Sequence, residues 1–129
     1  MLGSNCFQSC TSLTEVELKK VSQVSESAFA KCSNLIFASF PNATEISRTS
    51  INNCPKLENV YLPKAKYLRS QCLAGNAKLT MVDLPCVTYI DSNVFTNDYS
   101  LIAIILRSET VCNRASGSPI ANCYHFFGT

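Results

Sequence analysis

Large apolar residues recur every 22 positions along this chain, at Phe7, Phe29, Ile51, Leu73 and Phe95. Phasing the sequence on them brings further columns into line. Leu13, Leu35, Leu57, Leu79 and Leu101 form one; Val16, Ala38, Val60, Val82 and Ile104 form the next. Leu18, Phe40, Leu62, Leu84 and Leu106 follow, then Val24, Ile46, Leu68, Ile90 and Cys112. Self-similarity at a fixed period of about 20–50 residues marks stacked supersecondary units rather than one globular core.

Each unit reads as two extended stretches and a turn. In L-x-x-V-x-L the last two apolar residues, such as Val16 and Leu18, are two apart and share one face of a strand. The residues beside them, such as Glu15 and Glu17, face outward. Pro41, Pro63 and Pro85 follow this strand, where a residue without an amide proton ends a ladder. A second stretch comes next, Val21–Val24 in the first repeat and Val87–Ile90 in the fourth. Ser25, Ser47 or Asp91 then stands where it can cap a helical turn. The segment Glu26–Cys32 is long enough for one turn of α or 3₁₀ geometry. The pattern predicts a repeat solenoid, mostly β, with parallel strands and short helical or 3₁₀ turns. It has about five 22-residue coils over residues 1–116 and an irregular C-terminal tail, 117–129, that matches no repeat. One coil cannot bury its own apolar side chains, so stability belongs to the stack, and an open end invites end-to-end self-association.

The frame F-x-x-C-x-x-L-x-x-V-x-L-P-x-V-x-x-I, present as FQSCTSLTEVELKKVSQVS and its successors from about Cys6 to Cys112, resembles the BspA-type leucine-rich repeat. LIAIILRSETVC is similar to the closing segment of such arrays. The resemblance implies a right-handed coil of the α/β leucine-rich-repeat class. It also implies a place on a microbial cell surface or in a phage-related protein, and a role in adhesion or protein binding. It brings no shared catalytic residues. Asn76 and Asp98 depart from the pattern by replacing cysteine in their column.

Composition narrows the function classes. The net charge is +2, from 11 basic and 9 acidic residues spread along 129 positions. No basic stripe marks a nucleic-acid partner. Charged residues make up only 16% of the chain, low for a soluble protein, which leaves apolar surface for a partner. No run of about 18 apolar residues predicts membrane insertion. The opening MLGSNCFQSC lacks a secretory signal. The expectation is therefore a piece of a longer extracellular or cell-surface chain, with the cytoplasm as the alternative. Asn42-Ala43-Thr44 is an N-glycosylation triplet.

Eight cysteines raise the question of disulfides or metal. Cys10, Cys32 and Cys54 fall in one inward column. Cys6 and Cys72 share the column of Ala28, Ser50 and Val94, and Cys112 that of Val24. These six are expected as reduced core thiols, behaving as small hydrophobes. Cys86 falls in the outward column of Lys20, Asn42 and Lys64, and Cys123 in the tail. Cys112, Cys123 and His125 offer three zinc-ligand types without a fourth or a diagnostic spacing. Neither metal nor cofactor is expected.

Motifs for nucleophilic, phosphate-binding or zinc-peptidase chemistry are absent, so the chain is not expected to be an enzyme. Glu15 and Glu17 share a face and invite comparison with a glycosidase pair. Ordinary solvated strand residues are the simpler account, because the other repeats carry Phe37/Ser39, Asn59/Tyr61, Met81/Asp83 and Ala103/Ile105 there. That series is the better functional pointer. Read along the stack, the outward face passes from acidic Glu15 and Glu17 to Phe37, Tyr61 and Met81, with Asp83 beside them. Tyr67 and Tyr89, at equivalent positions of neighbouring coils, form a second candidate platform. The expected function is recognition of a protein or glycan on these strand faces. The alternative is a structural spacer or assembly unit.

Overall fold

A computed structural model of the chain describes residues 2–106, 111–112 and 124–127, the last two segments by their backbone. The odd-numbered strands line one wall: β1 (Glu15–Glu17), β3 (Phe37–Ser39), β5 (Asn59–Tyr61), β7 (Met81–Leu84), β9 (Ala103–Leu106) and β11 (Tyr124–Phe127). The even-numbered strands line another: β2 (Gln23–Val24), β4 (Glu45–Ile46), β6 (Tyr67–Leu68), β8 (Tyr89–Ile90) and β10 (Val111–Cys112). The second wall is one five-stranded sheet. The first is hydrogen-bonded as β1-β3-β5 and β7-β9-β11, with β5 and β7 neighbours but not paired as strands.

Every strand pair is parallel. Val16 pairs with Ala38, and Ala38 with Val60. Val24, Ile46, Leu68, Ile90 and Cys112 form one continuous row. The sequence period is thus the rise of one coil, and residues in one column lie one strand spacing apart, about 4.8 Å.

The inward columns form the core. Leu35, Leu57 and Leu79 are fully buried, as are Phe29, Phe95, Ile46 and Leu68. Each such side chain contributes roughly 1.5–3 kcal/mol through removal from water. The Phe7 and Phe29 rings stack at 5.2 Å, and the Phe40 ring tilts against Phe29 at 5.4 Å. In the first coil burial fails. Leu13, Val16, Leu18 and Val21 are only partly covered, and Cys6 and Phe7 are exposed. Cys6 therefore departs from the expected core position. Its column is inward only where coils pack on both sides.

The turn between coils differs from the expected helical or 3₁₀ turn: no helix occurs among the described residues. Its amides are used between coils instead. Asn5, Phe7 and Ser9 donate to the carbonyls of Glu26, Ala28 and Ala30, and Ser27, Phe29 and Lys31 to Arg48, Ser50 and Asn52. Alternate amides close tight turns, as Cys10 does on Phe7. Two positions per coil adopt positive φ, at Asn5/Ser27/Thr49/Gln71/Asn93 and Ser9/Lys31/Asn53/Gly75/Asn97. Left-handed residues at intervals of four break a helical run and turn successive amides toward the next coil. The one glycine among them, Gly75, sits close under the preceding coil: a Cβ there would lie 2.3 Å from Asn53 Oδ1 and would push that side chain aside.

The cysteine column does more than fill space. Cys32 Sγ donates to Phe7 O at 3.2 Å and Cys54 Sγ to Phe29 O at 3.3 Å. Asn76, next in the column, donates through Nδ2 to Ile51 O (2.9 Å) and Leu73 O (2.8 Å). It also accepts the Cys54 amide on Oδ1 at 3.0 Å. Asp98 accepts the Asn76 amide on Oδ1 at 2.7 Å, while its Oδ2 is buried without a partner. The column is a chain of side-chain-to-backbone bonds tying each coil to the preceding one. A thiol is its weak form and an asparagine its full form.

The tail also differs from the expectation of an irregular 117–129. Tyr124–Phe127 is a strand paired with β9, Tyr124 opposite Ala103 and Phe127 opposite Leu106. That register is one residue short of the 22-residue period, so this strand falls out of phase in the sequence.

Asp98 has a consequence for pH. Burial raises its carboxyl from 3.8 to about 8, against the lowering effect of the Asn76 and Gly75 amides. The folded state therefore holds a proton that the unfolded chain releases near pH 4. The resulting stability is complete below that pH, declines as pH rises through about 8, and is constant above it. The neighbouring Cys72 thiol, raised first by its own burial and then by Asp98, stays protonated across this range. Asp98→Asn is expected to stabilise the protein at pH 8.5 by at least about 1 kcal/mol, a few degrees in Tm. The gain should shrink toward pH 4. Thermal melts of both proteins at several pH values check it.

Candidate functional site

Two surfaces carry the candidate residues. The first is the outer face of the odd-numbered wall. Short strands of alternating residues keep one set inside, as with Val60 and Val82, and put their neighbours in solvent. Glu15 and Glu17 are exposed at one end, and Glu17 lies 3.8 Å from Lys19 in an open surface pair. Phe37 is half-buried on β3, Tyr61 is 52% exposed on β5 and Met81 is 51% exposed on β7. Asp83 is exposed beside Met81, and Ile105 is half-buried on β9.

The registers Phe37↔Asn59, Ser39↔Tyr61, Met81↔Ala103 and Asp83↔Ile105 make the apolar groups alternate between two columns. Phe37, Tyr61, Met81 and Ile105 thus form a zigzag across four coils. Ile36 and Ile102, 42% and 64% exposed, extend it sideways. Sequence reasoning missed this flank, whose signal is the outward column Thr14/Ile36/Glu58/Thr80/Ile102. Ser39 and Ala103, by contrast, are buried.

The second surface is the outer face of the even-numbered wall. Tyr67 and Tyr89 pair in register on β6 and β8. Their rings do not stack on one another. The Tyr67 ring takes the Arg69 guanidinium instead, 5.2 Å from its centroid. Arg69 Nε in turn donates to Glu45 Oε1 at 3.1 Å, which holds its charged form above the ordinary arginine range. Beside these residues a trough of about 530 Å³ runs along the stack, over Gln23, Ser25, Glu45, Ser47, Arg69 and Asp91. Small serines at the bend after β2 and β4 give it depth. Sequence reasoning missed it because its members lie in three separate columns, none of which carries a motif.

Repeated links fix the surface as well. Asn34 donates to Thr11 O and receives Lys56 Nζ; Asn42 donates to Lys19 O and receives Lys64 Nζ. Both sets span neighbouring coils. No group of three or more metal-ligand side chains occurs among the described residues, nor a helix long and apolar enough to cross a membrane. Cys112, Cys123 and His125 lie outside the residues whose side chains are described.

These features meet in a known repeat. The model for the BspA type leucine rich repeat region matches residues 1–123 in six copies. The chain belongs to this family. Its fold is also that of a solved leucine rich cell surface protein from Faecalibacterium prausnitzii A2-165, with a TM-score of 0.67 at 16% identity. The match covers 89% of this chain and 35% of that one, so the chain spans about a third of that protein's length. A search of curated proteins finds no match.

Within this BspA-type solenoid the thiols divide by environment. Cys6 and Cys86 are exposed, whereas Cys32, Cys54 and Cys72 are buried and free. Burial raises the Cys54 thiol to about 12 and the Cys32 and Cys72 thiols upward too. Since the thiolate is the nucleophile, exposure and charge favour reaction at the surface. A thiol reagent at pH 8 is expected to label Cys6 and Cys86 within minutes, and Cys54 and Cys72 only after denaturation. Peptide mapping by mass spectrometry reads the order directly.

Proposed function

We propose that this chain is a non-catalytic binding or adhesion module, part of a larger surface or virion protein, whose odd-numbered wall recognises a protein partner. The observation that carries the reading is the zigzag of Phe37, Tyr61, Met81 and Ile105 along the neighbouring strands of that wall. Exposed aromatic and methionine side chains are the groups that anchor interfaces. The coil stack holds their backbones fixed, so little freedom is lost on binding. Glu15, Glu17 and Asp83 supply a polar rim that sets orientation and encounter rate more than affinity. Membership of the family and the cell-surface setting of the structural neighbour support an extracellular role. Tyr67 and Tyr89, on the other wall, belong to a second contact surface.

The double variant Phe37→Ala, Tyr61→Ala is expected to weaken capture of surface-protein ligands on an immobilised panel by at least about tenfold. Its circular-dichroism melt should change by no more than a few degrees. A double variant that binds as the parent does removes this wall from the function.

One observation favours a second reading, that of an assembly unit. Phe7 is 37% exposed, and Leu13, Val16, Leu18 and Val21 are half-covered at the first coil. A further coil seated there would bury them and extend both walls. Sedimentation velocity across a hundredfold dilution separates the readings. A concentration-dependent oligomer supports end-to-end assembly, and a constant monomer supports the binding wall alone.

A further inference from the structure

The geometry points to a second binding site on this molecule: the trough beside β2, β4 and β6 takes a neutral oligosaccharide. This rests on the reading of the chain as a binding module, but it concerns a different wall and a different class of ligand.

The lining sets the chemistry. Floor and sides are hydroxyls, an amide, carboxylates and guanidinium groups, with no apolar side chain among them. Protein partners are held by buried apolar and aromatic anchors in pockets, which this trough lacks. An extended peptide adding a strand needs free backbone groups. Here the backbone is already used: Thr44 N donates to Ser22 O, Ser47 N to Val24 O, Arg69 N to Ile46 O and Asp91 N to Leu68 O, each at 2.9 Å. Anionic ligands are disfavoured by charge, since Glu26, Glu45 and Asp91 outnumber Arg48 and Arg69. A polyhydroxylated ligand without charge is what remains.

The positive features fit that ligand. Planar carboxylate, guanidinium and amide groups each address two adjacent hydroxyls at once, and bonds to charged groups are the stronger ones. Gln23 Nε2 donates to Ser47 Oγ at 2.9 Å, so two of the trough's three columns are already tied together. Arg69 is held between Glu45 and the Tyr67 ring, which lowers the entropy lost when a ligand engages it. Equivalent positions recur at about 4.8 Å along the trough, the interval between paired strands, with Ser25 and Ser47 alike and the other neighbouring occupants differing in type. The spacing sets hydroxyl, amide and charged groups in a row along which an extended polyhydroxylated chain can lie. Tyr67, 41% exposed, and half-buried Tyr89 prolong the same row. The negative face of an aromatic ring attracts the C–H face of a sugar, a contact open to the Tyr67 ring only on the side away from Arg69.

The test is titration calorimetry of the intact chain with cellohexaose, xylohexaose, mannohexaose and chitohexaose, with dextran sulfate as the charged probe. At least one neutral hexasaccharide is expected to bind. Glu45→Gln, Gln23→Ala and Arg69→Met should each weaken that binding about tenfold or more, as loss of a bond to a charged or aligned polar group does. Each variant's fold is checked by circular dichroism. Tyr61→Ala, on the opposite wall, should bind the sugar as the parent does, so failure here is separable from failure of the protein-binding wall. The proposal is overturned if no neutral hexasaccharide binds. It is equally overturned if dextran sulfate alone binds, or if the three trough variants, correctly folded, keep the parent's affinity.

Discussion

No coil of this protein completes its own backbone hydrogen bonding. The amides of the turn segments reach forward to the carbonyls of the next coil, while those entering the strands reach back, as Ile36 does to Thr14. A buried amide or carbonyl without a partner is costly, so each coil is a condition for its neighbour. The apolar columns work under that constraint. Leucine at 22-residue intervals seals the interior only because the ladders fix the rotation between successive coils. The left-handed residues in each turn serve the same end, giving up a helical run so that amides point along the stack.

The column that begins with cysteines shows how one geometric task admits several side chains. The task is to reach back to a carbonyl of the preceding coil. Cys32 and Cys54 do so through a weak sulfur donor, and Asn76 does it with a full amide that also receives the Cys54 amide. Asp98 fits the same place best when protonated, since an ionised carboxylate can only accept. The packing of a short polar group thus dictates its protonation state.

Much of this fold is legible in the sequence. The columns of Leu35, Ile46 and Phe29 give the coil length, the inward set and the strand register directly, because parallel pairing one period on is the only arrangement that keeps them all buried. The turns are less legible. Ser25 and Glu26 read locally as a helix start, whereas their backbone partners come from 22 or so residues away, and local propensity carries no trace of them. Cys6 reads as core because its column is core elsewhere; among the described residues a coil packs on only one side of it. Strand β11 escapes the pattern through the loss of a single residue from the period. The outward face of Tyr61 and Met81 follows from alternation alone. The trough beside Arg69 does not, since it arises from the bend between two columns and from an ion pair that crosses coils.

A body indexed so strictly by 22 residues has a simple grammar for change. Deleting or duplicating one whole period, say from Leu35 to Lys56, preserves every inward column, every ladder and both outer faces, and alters only how many rungs each face contains. Insertion of a single residue within a strand would instead turn the rest of that strand's interior into solvent, whereas β11 shows that a connection absorbs a change of one. Growth by entire rungs therefore lets the outer faces lengthen or shorten without redesign of the interior that supports them.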